Sequence, residues 1–283
     1  MAVLSTSDRQ ELIDAALAAA DAARPVTLRW FRAPELSAEN KAVGGGAAGE
    51  GAGGAERAES FDPVTRADRE AEAAIRALLR ARRPEDAVRG EEFPDTAGRS
   101  GLTWVLDPID GTRGYMSGTP TWGTLIALRD EGGPLFGLID QPFTGERFLG
   151  GFGRAELLHA GGSRPLAVRP APALEQATLF STFPEIGTPA ERAGFEALSS
   201  RVRLTRYGMD CYAYALLALG CIDLVVEAGL HAFDVQAPIA VIEAAGGIVT
   251  DWQGNPAHDG GRILAAASAR LHEQALEILS RVI

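Results

Sequence analysis

The chain has 283 residues, 46% of them apolar, which is enough for one large domain or two tightly joined ones with a substantial core. Acidic residues outnumber basic ones by 38 to 27, a formal net charge of −11. That balance disfavours sequence-independent nucleic-acid binding, which needs a basic face. No apolar run is long enough to span a bilayer, and Met1–Asp8 lacks the charged start and apolar core of a signal peptide, so a cytoplasmic protein is expected.

Residues 8–23 carry Leu12, Ile13, Ala16, Leu17 and Ala20 at helical spacing and predict an amphipathic helix. Trp30 and Phe31 follow it, then a polar loop with Lys41. Residues 42–60 are almost entirely Gly, Ala and Glu, and are expected to form a flexible insert. Their Gly44–Gly49 run matches a dinucleotide-binding pattern only formally, because no strand precedes it and no periodic helix follows at once. Asp62-Pro63-Val64-Thr65 opens the next helix, with Ala71, Ile75, Leu78 and Leu79 as its buried stripe, and Thr65 and Asp68 have capping-box spacing. Gly90-Glu91-Glu92 reads as a turn from which one acid could face inward. Strand-like runs at 121–128, 134–139, 146–150, 164–168 and 178–182 predict an antiparallel meander. Helices are expected at 190–200 and 209–219, a strand at 222–227, and a helix over 235–245 capped by Asp234 and ended by Gly246-Gly247. Strands at 248–252 and 263–266 and a helix at 269–281 close the chain. Cys211 and Cys221, if they shared a helix, would be roughly 15 Å apart, so both are expected to be buried free thiols in a reducing compartment. The four histidines are expected at the surface or at helix ends.

The chemistry concentrates in Trp104-Val105-Leu106-Asp107-Pro108-Ile109-Asp110-Gly111-Thr112. The apolar start reads as a central strand that Pro108 should stop, since proline has no ladder donor. Two carboxylates three residues apart then face one turn, where they and the Ile109 carbonyl suit a hard divalent cation. Gly111 allows an anion close to the backbone, and the amides of Gly111 and Thr112 would donate to it if a helix begins there. Taken alone, such a turn is ordinary Asp-rich loop chemistry.

Four segments in order change that balance: Asp62–Asp68, Gly90–Glu92, Trp104–Thr112, and Phe233-Asp234 with its helix ending Ala245-Gly246-Gly247. Together they resemble the inositol monophosphatase superfamily of magnesium-dependent phosphatases. The resemblance implies a layered αβαβα sandwich, with an N-terminal α+β subdomain over 1–160 carrying the metal-binding loops and a C-terminal α/β subdomain over 161–283. Carried over by position, it makes Glu91, Asp107, the Ile109 carbonyl, Asp110 and Asp234 ligands of two or three Mg²⁺. It pairs Asp68 with Thr112 to orient the attacking water, with Glu91 also in the catalytic set, and places phosphate on Gly111 and Thr112. Lys41 matches a lysine on the mobile loop that assists with phosphate or a third metal. The insert at 42–60 departs from the family's shorter loop. Homodimers are common in the family, and the expected partner is a small phosphorylated metabolite.

The substrate's organic half is read in the family by the segment before and at Glu227. Here Asp210 stands where an inositol phosphatase is expected to have a small neutral residue. A carboxylate there, joined by Glu227, suits a cationic substrate. The run Arg206-Tyr207-Gly208-Met209-Asp210-Cys211-Tyr212-Ala213-Tyr214 resembles the histidinol-phosphatase branch. Inositol-1-phosphate hydrolysis, 3′,5′-bisphosphate nucleotide hydrolysis and a non-catalytic metal- or phosphate-binding role are the alternatives. For Asp210 itself, the structural alternative is an acid favoured by a helix N-terminus.

Overall fold

The computed structural model describes residues 4–40, 63–170 and 172–282; Lys41, Asp62 and the 42–60 insert lie outside the described residues. Helix α1 (Thr6–Trp30) and helix α2 (Arg66–Arg82) pair with each other and cover one face of a seven-stranded sheet. That sheet is built in chain order from β3 (Ala87–Gly90), β4 (Thr103–Asp110), β5 (Gly123–Asp130), β6 (Gly133–Gln141), β7 (Glu146–Gly151), β8 (Arg154–His159) and β9 (Gly162–Pro165). A two-stranded ribbon of β1 (Ala38–Asn40) and β2 (Pro63–Thr65) precedes it. A short helix, α3 (Thr112–Met116), leaves the end of β4. The second sheet has the order β11 (Leu204–Tyr207), β10 (Thr178–Ser181), β12 (Leu224–His231), β14 (Gly260–Ala266), β13 (Ile248–Thr250). Helices α5 (Cys211–Ala218) and α6 (Ala232–Ala244) fill the space between the sheets, while α4 (Pro189–Ser199) and α7 (Ala269–Leu279) cover the outer face of the second.

The period of two along the strands builds these layers. In β4, Trp104 and Leu106 point to the core under α1 and α2, while Val105 points to the core around α5 and α6. In β12, Val225 faces that same middle core, whereas Leu224 and Val226 join Phe195 and Leu271 in the outer one. The expected αβαβα sandwich is therefore the fold. No helix among the described residues is long and apolar enough to cross a membrane.

Several elements differ from the sequence reading. Helix α1 does not end at 23 but runs through Pro25 to Trp30, where Trp30 Nε1 donates to Glu70 at 2.9 Å. Pro108 does not stop β4. The ladder pairs Asp107 with Leu125 and resumes only at Asp110 with Gly123, so the proline sits in an irregularity where no ladder donor is needed. The meander has a further strand, β8, whose Arg154 and Glu156 mask any apolar alternation. The run 178–182 belongs instead to the second sheet, where β10 pairs in parallel with β11 and β12. The 235–245 helix starts earlier, at Ala232, and Asp234 lies inside its first turn. Cys221 is exposed and lies beyond the end of α5, while Cys211 is buried. His272 is buried too, its ring nitrogen 2.7 Å from Thr250 Oγ1.

Candidate active site

A cavity of about 730 Å³ opens between the two sheets, where the ends of β3, β4, β10 and β12 meet the starts of α3, α5 and α6. Glu91, Asp110, Gly111, Thr112, Asp210, Glu227 and Asp234 all line it. Asp107, Ile109 and Asp68 adjoin this set but are buried, none more than 2% exposed.

Each acid is fixed by its own local structure. The irregularity at Pro108 puts both Asp107 and Asp110 at the end of one strand, and Ile109 N–H donates to Asp107 Oδ1 at 3.0 Å. Asp110 accepts the Cys211 N–H at 2.6 Å, which ties β4 to the first turn of α5. Asp234 accepts the His231 N–H at 2.6 Å from within the first turn of α6. Oxygens of Asp107, Asp110 and Asp234 lie within 4.8 Å of one another. Glu91 stands outside that triplet, but its charge acts on both Asp107 and Asp68. The turn that carries it rests on Glu72, a fully buried carboxylate that accepts Glu92 N–H at 2.8 Å and the Arg76 guanidinium at 2.7 Å. A Cβ at Gly90 would come within 2.1 Å of Glu72 Oε1, so a larger residue here would displace the carboxylate that supports the turn.

Asp68 divides its two oxygens between two tasks. Oδ2 accepts the Thr65 N–H at 2.8 Å, so the capping box is real. Oδ1 lies 3.5 Å from Thr112 Oγ1, whose single proton is shared between that carboxylate and the Ile109 carbonyl at 3.2 Å. Asp68 therefore closes the cap with one oxygen and faces Thr112 with the other. Gly111 adopts φ +84° as the residue before α3, and this left-handed turn points the start of the helix at the cavity.

Burial and mutual repulsion govern the charge state. Burial pushes Asp107 and Asp110 well above the usual carboxylate range; Glu91 and Asp110 add to the effect on Asp107, and Asp210 and Asp234 to that on Asp110. Burial raises Asp68 to about 6 despite the Thr65 bonds, and raises Asp210 to about 6 against the opposing pull of Thr121 and Arg113. Clustered, desolvated oxygen donors are the donor set a hard divalent cation prefers, and such an ion would relieve their repulsion. The residues present fit that group.

Asp210 is the N-cap residue of α5, where the structural alternative puts an acid, but it does not act as an ordinary capping side chain. It precedes α5 at φ +46°, a conformation rare for a side-chain-bearing residue, and makes no side-chain cap bond. Its carboxylate instead lies against the Gly111 turn, and its Oδ2 accepts from Thr121 at 3.4 Å. Glu227 is buried and held by the Thr182 N–H at 2.7 Å and the Thr182 hydroxyl at 2.8 Å, yet burial still raises it to about 8. The supporting residues Glu72, Thr182 and the Cys211 amide are not legible in the sequence as site residues, because each acts across a large gap in the chain.

Tyr214 lines the same cavity, and its buried hydroxyl has no hydrogen-bond partner among the described residues. An unmet buried hydroxyl costs about 1–3 kcal/mol. Tyr214→Phe is therefore expected to hold or raise Tm, by roughly 2–4 °C per kcal/mol recovered. A fall of several degrees in differential scanning fluorimetry would show that the hydroxyl has a structural partner.

Known proteins resemble this chain over most of its length. The inositol monophosphatase family profile matches residues 8–283. The chain is 39% identical over 232 residues to the bifunctional phosphatase IMPL2, chloroplastic, of Arabidopsis thaliana, a match covering 78% of this chain but 66% of that protein. It is 35% identical over 272 residues to a histidinol-phosphatase of Streptomyces coelicolor, covering 93% of this chain and 94% of that one. Among solved structures, an inositol monophosphatase from Zymomonas mobilis superposes with a TM-score of 0.79 at 36% identity, covering 98% of this chain and 99% of that chain. The chain belongs to the inositol monophosphatase family of phosphatases.

Proposed function

We propose that the chain hydrolyses a phosphate monoester with Mg²⁺, and that its substrate is histidinol phosphate. The observation that carries the reaction is the Asp107–Asp110–Asp234 triplet beside the Gly111–Thr112 turn. Those three carboxylates, with Glu91 and the Ile109 carbonyl, would hold the metal. Magnesium, when bound, supplies charge stabilisation at the phosphate oxygens and a bound water of lowered pKa. The amides of Gly111 and Thr112 orient the phosphoryl group at the start of α3. Thr112 Oγ1 relays the proton of the attacking water to Asp68 Oδ1, and a carboxylate titrating at about 6 is largely ionised and able to accept it at neutral pH. Lys41 is assigned to phosphate binding on sequence grounds. A homodimer working in the cytoplasm belongs to the same proposal.

The choice of substrate rests on Asp210 and Glu227, two acids on the wall of the cavity that receives the alcohol half of the ester. An ammonium and an imidazole complement them, the bound cation drawing Glu227 into its ionised form; an uncharged polyol does not. The relatives named histidinol-phosphatase support this reading, and the similarity to an inositol monophosphatase keeps inositol 1-phosphate as the second one. Phosphate release from histidinol phosphate, inositol 1-phosphate and adenosine 3′,5′-bisphosphate, with and without Mg²⁺, tests it. Preference for the inositol ester would overturn the substrate and leave the reaction class standing; no release from any would favour a binding protein. Asp210→Ala is expected to raise KM for histidinol phosphate by roughly 10- to 100-fold, the range of a charge-assisted hydrogen bond. The effect on inositol 1-phosphate should be much smaller, and equal effects on both esters would refute a cation-reading role.

A further inference from the structure

Seven large apolar side chains stay more than a third exposed among the described residues, and of these Phe183 alone lines the cavity. It is 42% exposed, and it is not carried on a loose loop. The preceding residue, Thr182, is clamped to Glu227 through both its amide and its hydroxyl, and the Ser181 hydroxyl donates to the Phe183 carbonyl at 3.4 Å. From the opposite wall the Arg113 guanidinium sits 4.9 Å from the ring centroid. Arg113 directly follows the Gly111–Thr112 turn and Phe183 follows the residue clamped to Glu227, so this cation–π pair links two parts of the cavity lining. An aromatic ring has two faces. Arg113 takes one, and the ring, 42% exposed and lining the same cavity as Glu227, keeps surface free for a second partner.

We propose that Phe183 is a specificity-determining residue, a braced platform on which a planar unsaturated ring in the alcohol half of the substrate stacks. This deepens the histidinol phosphate reading and rests on it. Phosphate would lie at Gly111–Thr112, the ammonium at Asp210 and Glu227, and the flat ring on Phe183. The cavity's volume, about 730 Å³, accommodates all three groups. Nothing in the sequence singles out Phe183, since Thr-Phe-Pro reads as an ordinary end to a strand.

The test compares phenylalaninol phosphate, which has an ammonium and a ring, with alaninol phosphate, which has the ammonium and a methyl group. An aromatic pair is worth about 0.5–1.5 kcal/mol beyond burial. Phe183→Leu is therefore expected to lower the ratio of kcat/KM for the two esters by about three- to tenfold, mainly through KM, while Phe183→Tyr keeps the wild-type ratio. An unchanged ratio in Phe183→Leu overturns the platform, as does a wild-type enzyme with no preference for the ring. A wild-type preference for inositol 1-phosphate over every amino-alcohol ester would sink the substrate assignment instead, and that result is read separately from the Phe183 ratio. The partial exposure of Phe183 lets the leucine variant fold, and an unchanged Tm checks it.

Discussion

Asp107→Asn is expected to lower kcat/KM by on the order of 10³-fold or more, about 4 kcal/mol of transition-state stabilisation, without unfolding the protein. The asparagine oxygen can still accept the Ile109 N–H now held at 3.0 Å, so the bend in β4 should survive. What the substitution removes is one of three carboxylates whose oxygens lie within 4.8 Å of one another. A buried group that Glu91, Asp110, Asp234 and Asp68 all repel is a liability in the metal-free protein and an asset only beside a cation. The metal-free variant should therefore be at least as stable as wild type, and it should lose most of the Tm gain that Mg²⁺ gives wild type. Near-normal turnover, or an undiminished Mg²⁺ shift, would contradict the ligand role.

The metal-free protein should lose stability as pH rises from about 4 to 8, by on the order of a few kcal/mol. The groups responsible are Asp68 and Asp210, raised to about 6, and Glu227, raised to about 8, with Asp107 and Asp110 raised well above the ordinary value. A carboxyl with a higher pKa in the folded state binds its proton more tightly there than in the unfolded chain. Its contribution to stability is complete below the unfolded value, near 4, and disappears as pH climbs through the folded value. Mg²⁺ competes for the deprotonated oxygens, so the stabilisation it provides should be larger at pH 8 than at pH 5.5. Thermal melts in chelator and in Mg²⁺ across this range check both statements. A metal-free Tm that stays flat or rises between pH 5 and 8 would remove the idea that burying these acids together is the stored cost of the site.

The local chemistry is legible in the sequence. Asp107, Asp110, Gly111 and Thr112 sit within six residues, so their proximity is dictated by chain connectivity, and the Thr65–Asp68 box follows from helix geometry. The layered fold follows from the family resemblance, whereas periodicity alone misassigns particular elements. It joins 178–182 to the wrong sheet, because alternation shows that a strand has a buried face but not which neighbours it pairs with. It ends β4 at Pro108, because the rule against proline in a ladder takes no account of an irregularity that needs no donor.

What the sequence determined by itself is the inventory of oxygen donors and the local turns that present them. The tertiary structure decided how those donors are charged and supported. Burial raises the proton affinity of Asp68, Asp107, Asp110, Asp210 and Glu227, and Glu72, Thr182 and the Cys211 amide hold the Glu92 amide, Glu227 and Asp110 in place across 20, 45 and 101 residues of chain. Desolvation and long-range hydrogen bonds depend on what packs around a group, and no local pattern of residues encodes that.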